Sequence, residues 1–469
     1  MIALTAKEIA TVVQGKLFAS EDLLVTAGPV IDSRDAEPGC IFVALKGENS
    51  DGHDFAQAGI DKGAVLVLAT RKVSVPCIVV DDAVEALAKL AKHVRDLLPN
   101  LMVVAITGSF GKTTAKDLIA WILGMHGETI APRNSFNNEL GLPLTLLRCT
   151  ENTKFCILEM GARKVGDIAA LTKIAAPHIG VVLVVGNSHI GEFGSIEAIA
   201  RTKAELIHEL APGSVAVLGQ YDSFTPLMAN GCDLEVIFFG ETHNAQVRAA
   251  DIEVREGRAH FDLVTPQGRE PVGLRLIGVH QIPNALAAAA VATALNIPID
   301  VIAGALSTAE VSSKWRMQIE ELPGLVLIND AYNANLASTA GALQSLVLFA
   351  QERGGRSWAF LGKMHELGES SRQDHASIGT LARELGIDHL VCVGAPEYGQ
   401  GLTQTQDFGD EMTVHYCPSQ SDALALAAHL ENGDVVLVKA SRAEKLEELA
   451  LNIADNWRKR KADEEVSEI

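Results

Sequence analysis

One segment limits the possible folds of this chain more than any other: an apolar run, a glycine-rich turn that ends in lysine, and a helical pattern. Residues 101–106 (LMVVAI) are apolar without interruption, over the length of a buried parallel strand. The turn at 107–114 reads TGSFGKTT, and the apolar residues beyond it repeat at helical spacing up to Gly124. This order predicts a strand–turn–helix unit of an α/β protein.

The turn has the composition of a phosphate-binding loop. Its glycines would let backbone N–H groups turn toward phosphates, and the helix N-terminus would add a positive field. Lys112 would reach the β- and γ-phosphates, and the Thr113 hydroxyl would hold magnesium. The common pattern has a glycine at position 106, where this chain has Ile106, and a plain tight turn is the alternative interpretation. The predicted nucleoside triphosphate site comprises Gly108, Ser109, Gly111, Lys112, Thr113 and Thr114.

Length, charge, cysteine content and hydropathy argue against a protein that coats nucleic acids, is secreted or spans a membrane. The 469 residues predict two to four domains, and a net charge of −20 argues against a protein that coats nucleic acids. Seven cysteines without a C-x-x-C pair indicate reduced, mostly buried thiols. No apolar run reaches membrane-spanning length, and residues 5–8 (TAKE) read as a helix capping box rather than a signal peptide. We therefore expect a cytoplasmic protein.

Strand and helix patterns divide the chain into three α/β blocks, at 1–99, 100–313 and 314–469. The central block predicts a parallel sheet and a polar, β-rich insertion at about 234–276, and the third alternates as a Rossmann-like domain does. We expect the charged tail at 457–469 to be a frayed, solvated end. The predicted strands lie at 41–45, 64–68, 101–106, 155–158, 179–185, 214–218, 325–328, 358–361, 390–393 and 435–438.

Three polar residues lie where phosphate chemistry would need them. Glu159 follows a predicted strand, so its carboxylate would emerge at the carboxyl edge of the sheet, where ligands bind and where it can hold a second magnesium. His189 lies in the loop after another strand, and Lys203 lies on the next helix. On spacing alone, a surface histidine and an exposed helical lysine remain the more ordinary interpretations of these two.

Together these positions resemble the Mur ligase family. The resemblance extends over nearly the whole chain and includes two strings specific to the branch that adds a dipeptide, YNAN at 332–335 and MHELG at 364–368. The other matching strings are those at 107–114, EMG at 159–161, HIGEFG at 189–194, Lys203, DSR at 32–34, ALKG at 44–47, DGHDF at 51–55, NSFNNELGLP at 134–143, GVHQIPNA at 278–285, and KASR at 439–442.

The resemblance implies an ATP-dependent, ADP-forming ligase of bacterial peptidoglycan precursor synthesis. Its three domains would be an N-terminal domain for the uridine nucleotide, a central ATP domain, and a C-terminal Rossmann-like domain on the dipeptide side of the cleft. The substrates would be UDP-N-acetylmuramoyl-tripeptide and D-alanyl-D-alanine, with ATP and Mg²⁺ as cofactors. We expect a monomer that does not bind nucleic acid and does not insert into a membrane.

The resemblance also implies roles for individual residues. The catalytic residues would be Lys112, His189 and Lys203. The metal ligands would be Thr113, Glu159, His189 and Lys203, the last as a carbamate, which a partly buried amine with a lowered pKa can form. ATP would also contact Asn284 (through the adenine), Arg316 and Asp330. The residues implied for the substrates are Ser33, Arg34, Lys46, Asn137, Asn138, Tyr332, Asn333 and Asn335.

The chain departs from the usual family residues at Gly219, Gln281, Leu336, Lys363 and Ala440, while the phosphate and metal positions match.

Three alternative functions remain. A sister ligase that adds one diamino acid would carry an aspartate-asparagine-proline-arginine string, which this sequence lacks, and folylpolyglutamate synthase should lack the domain with DSR at 32–34. A silent binding protein on the same scaffold would not need the phosphate and metal residues together. The sequence does not determine the third residue of the substrate peptide, the group that accepts the amine proton, or whether Lys203 is carbamylated.

Overall fold

The computed structural model describes residues 1–47, 50–132, 136–186, 190–255, 257–310, 314–400 and 412–467. These residues form two compact units. The first unit comprises 1–185, 200–247 and 287–297, and the second comprises 186–199, 248–286 and 298–469.

The N-terminal part of the first unit is a small α/β domain. Its elements are β1 (Leu4–Thr5), α1 (Ala6–Val13), β2 (Lys16–Phe18), β3 (Leu24–Val25), β4 (Ile41–Val43), α2 (Ala56–Lys62), β5 (Leu66–Ala69), β6 (Cys77–Val79) and α3 (Ala83–Asp96). Four strands form a sheet in the order β2–β6–β5–β4, with β2 antiparallel to β6. The predicted capping box is present, since Thr5 Oγ1 accepts from the Glu8 amide and Glu8 accepts from the Thr5 amide.

A parallel sheet forms the centre of the first unit. The elements of this stretch are β7 (Met102–Thr107), α4 (Lys112–Gly124), β8 (Thr129–Ile130), α5 (Gly141–Leu146), β9 (Phe155–Glu159), α6 (Asp167–Ala175), β10 (Ile179–Val182), α7 (Ile190–Phe193, in the second unit), α8 (Ile196–His208), β11 (Val215–Gly219) and β12 (Glu235–Gly240). The parallel strands have the order β12–β11–β10–β7–β9–β8. Val103, Val104 and Ala105 are fully buried because both faces of the sheet are covered.

Arg95 joins the N-terminal domain to the central sheet within the first unit. It lies on α3 and is buried, and its guanidinium donates to the carbonyl oxygens of Ala175 (3.1 Å) and Ala176 (3.2 Å) at the end of α6. The same guanidinium donates to the Leu98 carbonyl at 3.2 Å. A cation at a helix C-terminus satisfies carbonyls that have no partner in the helix. The connection at 97–100 is thereby fixed on its N-terminal side.

The second unit begins with a β-rich part that corresponds to the predicted insertion. Its elements are β13 (Val247–Arg255), β14 (Arg258–Thr265), β15 (Gly268–Ile277) and α10 (Ile299–Thr308), together with the first turn of α9 (Ile282–Ala294), a helix whose residues from Ala287 onward belong to the first unit. The three strands pair antiparallel in the order β15–β14–β13. Buried and partly exposed residues alternate along β14, as expected for a sheet with one solvated face.

The C-terminal part of the second unit is a six-stranded sheet with helices on both faces. Its elements are β16 (Gln318–Leu322), β17 (Leu325–Asp330), α11 (Leu336–Arg353), β18 (Ser357–Leu361), α12 (Ser371–Glu384), β19 (His389–Val393), α13 (Glu397–Gln400), β20 (Thr413–Cys417), α14 (Gln420–Leu426), β21 (Val435–Lys439) and α15 (Glu447–Ser467). The order is β16–β17–β21–β18–β19–β20, and only β16 is antiparallel. One apolar core packs under α11 and α12, and another under α14 and α15.

The structure confirms the α/β class and the strands that the apolar runs predict, with ends displaced by one or two residues at most sites. The strand predicted at 179–185 is shorter and ends at Val182. All seven cysteines are free, and six are buried, as expected. None of the helices in the described residues has the length and apolar character needed to cross a bilayer. The boundaries at 99/100 and 313/314 stay predictions, and residues 311–313 lie outside the described residues.

The expectation of a frayed tail from residue 457 was wrong. Helix α15 continues to Ser467. Trp457 is 3% exposed, packs in the core beneath α14 and α15, and donates from Nε1 to the Pro323 carbonyl at 2.8 Å. The charged residues occupy the solvent side of a helix whose other side carries Ile453, Ala454 and Trp457 into the core.

Candidate active site

The glycine-rich turn has the predicted position between β7 and α4 in the first unit. Gly111 has φ of +83°, a left-handed conformation that glycine adopts without strain, and α4 begins at the next residue. The amide of Ser109 donates to the Val184 carbonyl at 2.9 Å, which fixes the turn to the segment after β10. Lys112 Nζ donates to the Gly108 carbonyl at 2.7 Å. Ser109, Thr113 and Thr114 are buried, so the turn is compact and directed inward.

Glu159 occupies the carboxyl end of β9, the neighbour of β7, in register with Ile106. Its side chain is 1% exposed. Oε2 accepts from Thr113 Oγ1 at 2.9 Å, and Oε1 accepts from Asn137 Nδ2 at 2.8 Å. Both donors are neutral, and no ion pair to Glu159 occurs within the described residues. A buried carboxylate without a cation is costly, so this carboxylate and hydroxyl are suited to a divalent metal ion.

Lys203 lies on α8 and is only partly exposed. In the part of the chain that the structure describes, it has no carboxylate partner. Burial lowers the pKa of Lys203 well below its ordinary value, and the positive charge of Lys112 lowers it further. Glu205, two residues on, accepts from the amides of Gly166 (2.7 Å) and Ala169 (2.9 Å) at the start of α6, which holds α8 in place.

His189 is the predicted site residue that the structure leaves out, since 187–189 lie outside the described residues. The chain before this stretch is fixed by Asp222, which accepts from the Val185 amide at 2.8 Å. After it, the backbone at Gly191 approaches Gly368 so closely that a β-carbon on Gly191 would lie 2.9 Å from the Gly368 Cα. Within the described ranges, no three His, Cys, Asp or Glu side chains form a preassembled metal cluster.

Several residues that hold this site were missed by the sequence reasoning. Lys116, one turn after Lys112, is buried, pairs with Asp117 at 2.8 Å and donates to the Pro132 carbonyl at 3.2 Å. Arg148 donates to the Ala131 carbonyl at 2.9 Å. These two cations hold the chain that leads to Asn137. A lysine in the second turn of the helix was the signal available in the sequence, but its burial depends on the tertiary fold.

The residues predicted for the uridine nucleotide are on the N-terminal domain and mostly exposed. Ser33 and Arg34 lie in a short 3₁₀ turn that Asp32 caps, accepting from the Arg34 amide at 2.9 Å. The Arg34 side chain pairs with Asp32 at 2.6 Å, and these bonds lower the pKa of Asp32 to about 2. Lys46 is exposed and pairs in a β-bridge with Asp51. Asn138, in the central domain, accepts at 2.9 Å from the amide of Gly141, the first residue of α5.

In the second unit, the predicted residues collect at the carboxyl ends of β17 and β21. Asp330 accepts from Lys439 Nζ at 2.6 Å, and Lys439 also donates to the Asn333 carbonyl at 2.9 Å. Lys439 is 2% exposed, so this is a buried ion pair. The Arg316 guanidinium stacks on the Tyr332 ring, 4.1 Å from its centroid.

Two of the predicted asparagines have structural contacts. Asn335 caps α11, accepting from the Ser338 amide at 2.9 Å. Asn284 is buried near the start of α9 and donates to Gln281 Oε1 at 2.9 Å. Gln281 is one of the departures from the family pattern, and here it positions the predicted adenine contact.

The structure gives reasons for two other departures. A β-carbon on Gly219 would lie 2.1 Å from the Leu183 carbonyl oxygen, so the asparagine usual in relatives does not fit this backbone. Leu336 is the first residue of α11, a position where the usual proline and a leucine are both accepted. Lys363 is exposed, and Ala440 is buried beneath Gly362. Nothing in the structure explains the choice of lysine at position 363.

Comparisons with known proteins agree with this geometry. Three family models match: the Mur ligase family catalytic domain at 28–98, the Mur ligase middle domain at 106–292, and the Mur ligase glutamate ligase domain at 315–442. A Mycobacterium bovis protein named UDP-N-acetylmuramoyl-tripeptide--D-alanyl-D-alanine ligase is 40% identical over 94% of this chain and 96% of its own.

Two solved structures are similar in fold. The crystal structure of MurF from Acinetobacter baumannii superposes with a TM-score of 0.86, at 31% identity over 97% of this chain and 99% of that chain. MurF ligase from Thermotoga maritima, determined in complex with ADP, has a TM-score of 0.78 at 29% identity, over 92% of this chain and 98% of that chain.

Proposed function

The chain belongs to the Mur ligase family, and from that premise we propose that it joins D-alanyl-D-alanine to UDP-N-acetylmuramoyl-tripeptide. The reaction consumes ATP, releases ADP and phosphate, and supplies a peptidoglycan precursor. The choice of substrates rests on the names of full-length relatives. The type of reaction rests on one observation: the buried Glu159 carboxylate accepts a hydrogen bond from Thr113 of the phosphate-binding turn.

The reaction needs an activated carboxyl group. A carboxylate is a poor electrophile because attack on it must expel an oxide. Transfer of the ATP γ-phosphoryl group to the peptide carboxylate gives an acyl phosphate, which the dipeptide amine attacks. The tetrahedral intermediate then collapses to the amide and phosphate. The chain supplies positioning and charge: the turn's amides orient the triphosphate, and Lys112 exchanges its bond to the Gly108 carbonyl for the phosphates.

The proposal includes Mg²⁺. The Thr113 hydroxyl and the Glu159 carboxylate supply the oxygen ligands that this ion prefers, and Glu159 lacks a cationic partner among the described residues. His189 and a carbamylated Lys203 are the remaining proposed ligands. When bound, Mg²⁺ would reduce the repulsion between the carboxylate and the triphosphate.

Carbamylation of Lys203 is consistent with its surroundings. The lowered pKa favours the neutral amine, whose nitrogen lone pair can attack carbon dioxide. The new N–C bond and the loss of one proton give a carbamate anion. That anion would place a negative charge next to Lys112, where the ammonium form places a second positive one.

The remaining contacts are proposed from the resemblance. Ser33, Arg34 and Lys46 bind the uridine nucleotide, and Asn137 and Asn138 contact the sugar-peptide. Asn284, Arg316 and Asp330 bind ATP, and Tyr332, Asn333 and Asn335 form the dipeptide side. We also propose a cytoplasmic monomer with domains at 1–99, 100–313 and 314–469.

A phosphate-release assay tests the function. The purified chain, ATP, Mg²⁺ and UDP-N-acetylmuramoyl-tripeptide are offered D-alanyl-D-alanine, D-alanine, L-lysine or diaminopimelate in separate reactions, and the products are identified by mass spectrometry. We expect an amide product only with the dipeptide. Ligation of a free diamino acid would replace this proposal by the sister activity, and no ATP turnover with any acceptor would indicate a silent protein.

A further inference from the structure

A surface cavity of about 740 Å³ in the second unit is lined by histidines that the proposed reaction does not use. His389 is the first residue of β19, and His415 lies on the adjacent edge strand β20. Nδ1 of His389 and Nε2 of His415 are 3.2 Å apart. His429 lines the same cavity.

The plane of the His389 ring is fixed by its contacts. The ring stacks on Trp358, with centroids 3.7 Å apart and planes inclined by 17°. Trp358 is itself 1% exposed and donates from Nε1 to Asp434 at 3.0 Å, so it is a rigid support. A preorganised ring loses little conformational freedom when it binds a ligand.

Both imidazoles are suited to donate a lone pair near neutral pH. Burial lowers the pKa of His389 and the pKa of His415 from their ordinary values. The nearby Arg356 guanidinium is paired with Asp434 at 2.8 Å, which reduces the repulsion that a bound cation would meet. Neutral imidazole is the form that coordinates metals.

From this geometry we propose that His389 and His415 bind a late first-row transition-metal ion, of the class of Ni²⁺, Cu²⁺ or Zn²⁺, with water completing its coordination shell. Imidazole nitrogens lie about 2.0–2.1 Å from such ions, and two nitrogens 3.2 Å apart then subtend an angle of roughly 100° at the metal. Mg²⁺ prefers oxygen ligands, so this site is distinct in chemistry from that at Glu159.

The binding step needs no net proton release. One of the facing nitrogens now carries the hydrogen of the His389–His415 contact, and that proton moves through solvent to the other nitrogen of the same ring. Two dative N–metal bonds replace the hydrogen bond. The ion would connect edge strand β20 to β19, and we expect it to raise the thermal stability of this edge.

Titration calorimetry of the untagged full chain with NiCl₂, in excess Mg²⁺ and without nucleotide, tests the proposal. We expect one equivalent of Ni²⁺ to bind the wild type, with His389→Gln and His415→Gln each weakening binding at least about tenfold. The control His243→Gln removes an exposed imidazole elsewhere and should bind as the wild type does. Ligase activity reports that the variants are folded, since the proposed reaction uses neither residue.

A second readout identifies the ligands directly. The electron paramagnetic resonance spectrum of the chain with one equivalent of Cu²⁺ should show coupling to two imidazole nitrogens, and each variant should lose one. Unchanged Ni²⁺ binding in both variants, or no binding by the wild type, would overturn the proposal. The metal-binding result does not depend on which amine substrate the ligase uses, so the two proposals can fail separately.

Discussion

Two lysines, one in each compact unit, differ in what faces their ammonium groups. Lys439 is buried at the end of β21 and pairs with Asp330 at 2.6 Å. Lys203, on α8, has no carboxylate partner among the described residues, and burial lowers its pKa. A buried lysine that pairs with a carboxylate holds structure, whereas one whose pKa is lowered by burial can lose its proton and act as a nucleophile. The same residue type therefore predicts a structural role in one place and a chemical role in the other.

The largest expected effect is the loss of folding stability when Lys439, the paired lysine, is replaced. Lys439→Met leaves Asp330 as an unpaired buried charge, so the free energy of unfolding should fall by about 3–5 kcal/mol. Urea denaturation followed by tryptophan fluorescence measures this, because Trp358 and Trp457 are buried in this unit. Lys363→Met, an exposed lysine of the same unit, is the control and should change little. Full stability in Lys439→Met would refute the structural role; partial recovery in Lys439→Met/Asp330→Asn would support it.

The second effect is on turnover in the first unit. Lys112→Ala removes the cation of the phosphate-binding turn, and we expect phosphate release to fall by about 100- to 1,000-fold with an unchanged circular dichroism spectrum. The exposed Lys164→Ala is the matched control. Ligation by Lys112→Ala near the wild-type rate would contradict the nucleotide assignment.

The unpaired lysine gives a smaller, recoverable effect. Lys203→Ala should lower turnover by about tenfold to 100-fold, as for loss of a group that orients a metal site. Formate or acetate should restore part of the activity, because a short carboxylate can take the place of the carbamate. Lys112→Ala should gain nothing from the same acids. If Lys203→Arg is as active as the wild type, the residue acts as a plain cation and the comparison with Lys439 loses its basis.

The smallest effect needs no substitution. Removing carbon dioxide from the buffer should lower wild-type turnover partially, because the proposed Lys203 carbamate would revert to the amine, and bicarbonate should restore it. Lys203→Ala serves as the control and should not respond to bicarbonate. An equal response in that variant would assign the effect to some other group.

The parallel sheets were predictable because their strands are continuous apolar runs, and the glycine-rich turn predicted the positions of Lys112 and Thr113 at the start of the helix that follows β7. Glu159 was also predictable, since the carboxyl end of a parallel strand next to β7 brings it to Thr113. Other contacts depend on chain segments that are distant in sequence. Among the described residues, Lys203 lacks a carboxylate partner and His389 faces His415, and both features arise only when several elements pack, so no local pattern encodes them.

The charged segment at 457–469 shows a different limit of prediction from sequence. A run of lysine, arginine and glutamate suggested solvation, but Ile453, Ala454 and Trp457 recur on one side of α15 at helical spacing. The prediction was wrong because a run of charged residues along one face of a helix does not exclude an apolar face opposite.

The burial of Trp457 has a practical consequence for the truncation of helix α15. The Trp457–Pro323 hydrogen bond joins helix α15 to the turn between β16 and β17, so this helix packs against a segment 134 residues earlier in the chain. A stop codon before Trp457 would remove a buried side chain from the core beneath α14 and α15 rather than trim a loose extension. Deletions intended to aid crystallisation, and fusions that stress this helix, should therefore favour aggregation over a shortened active enzyme.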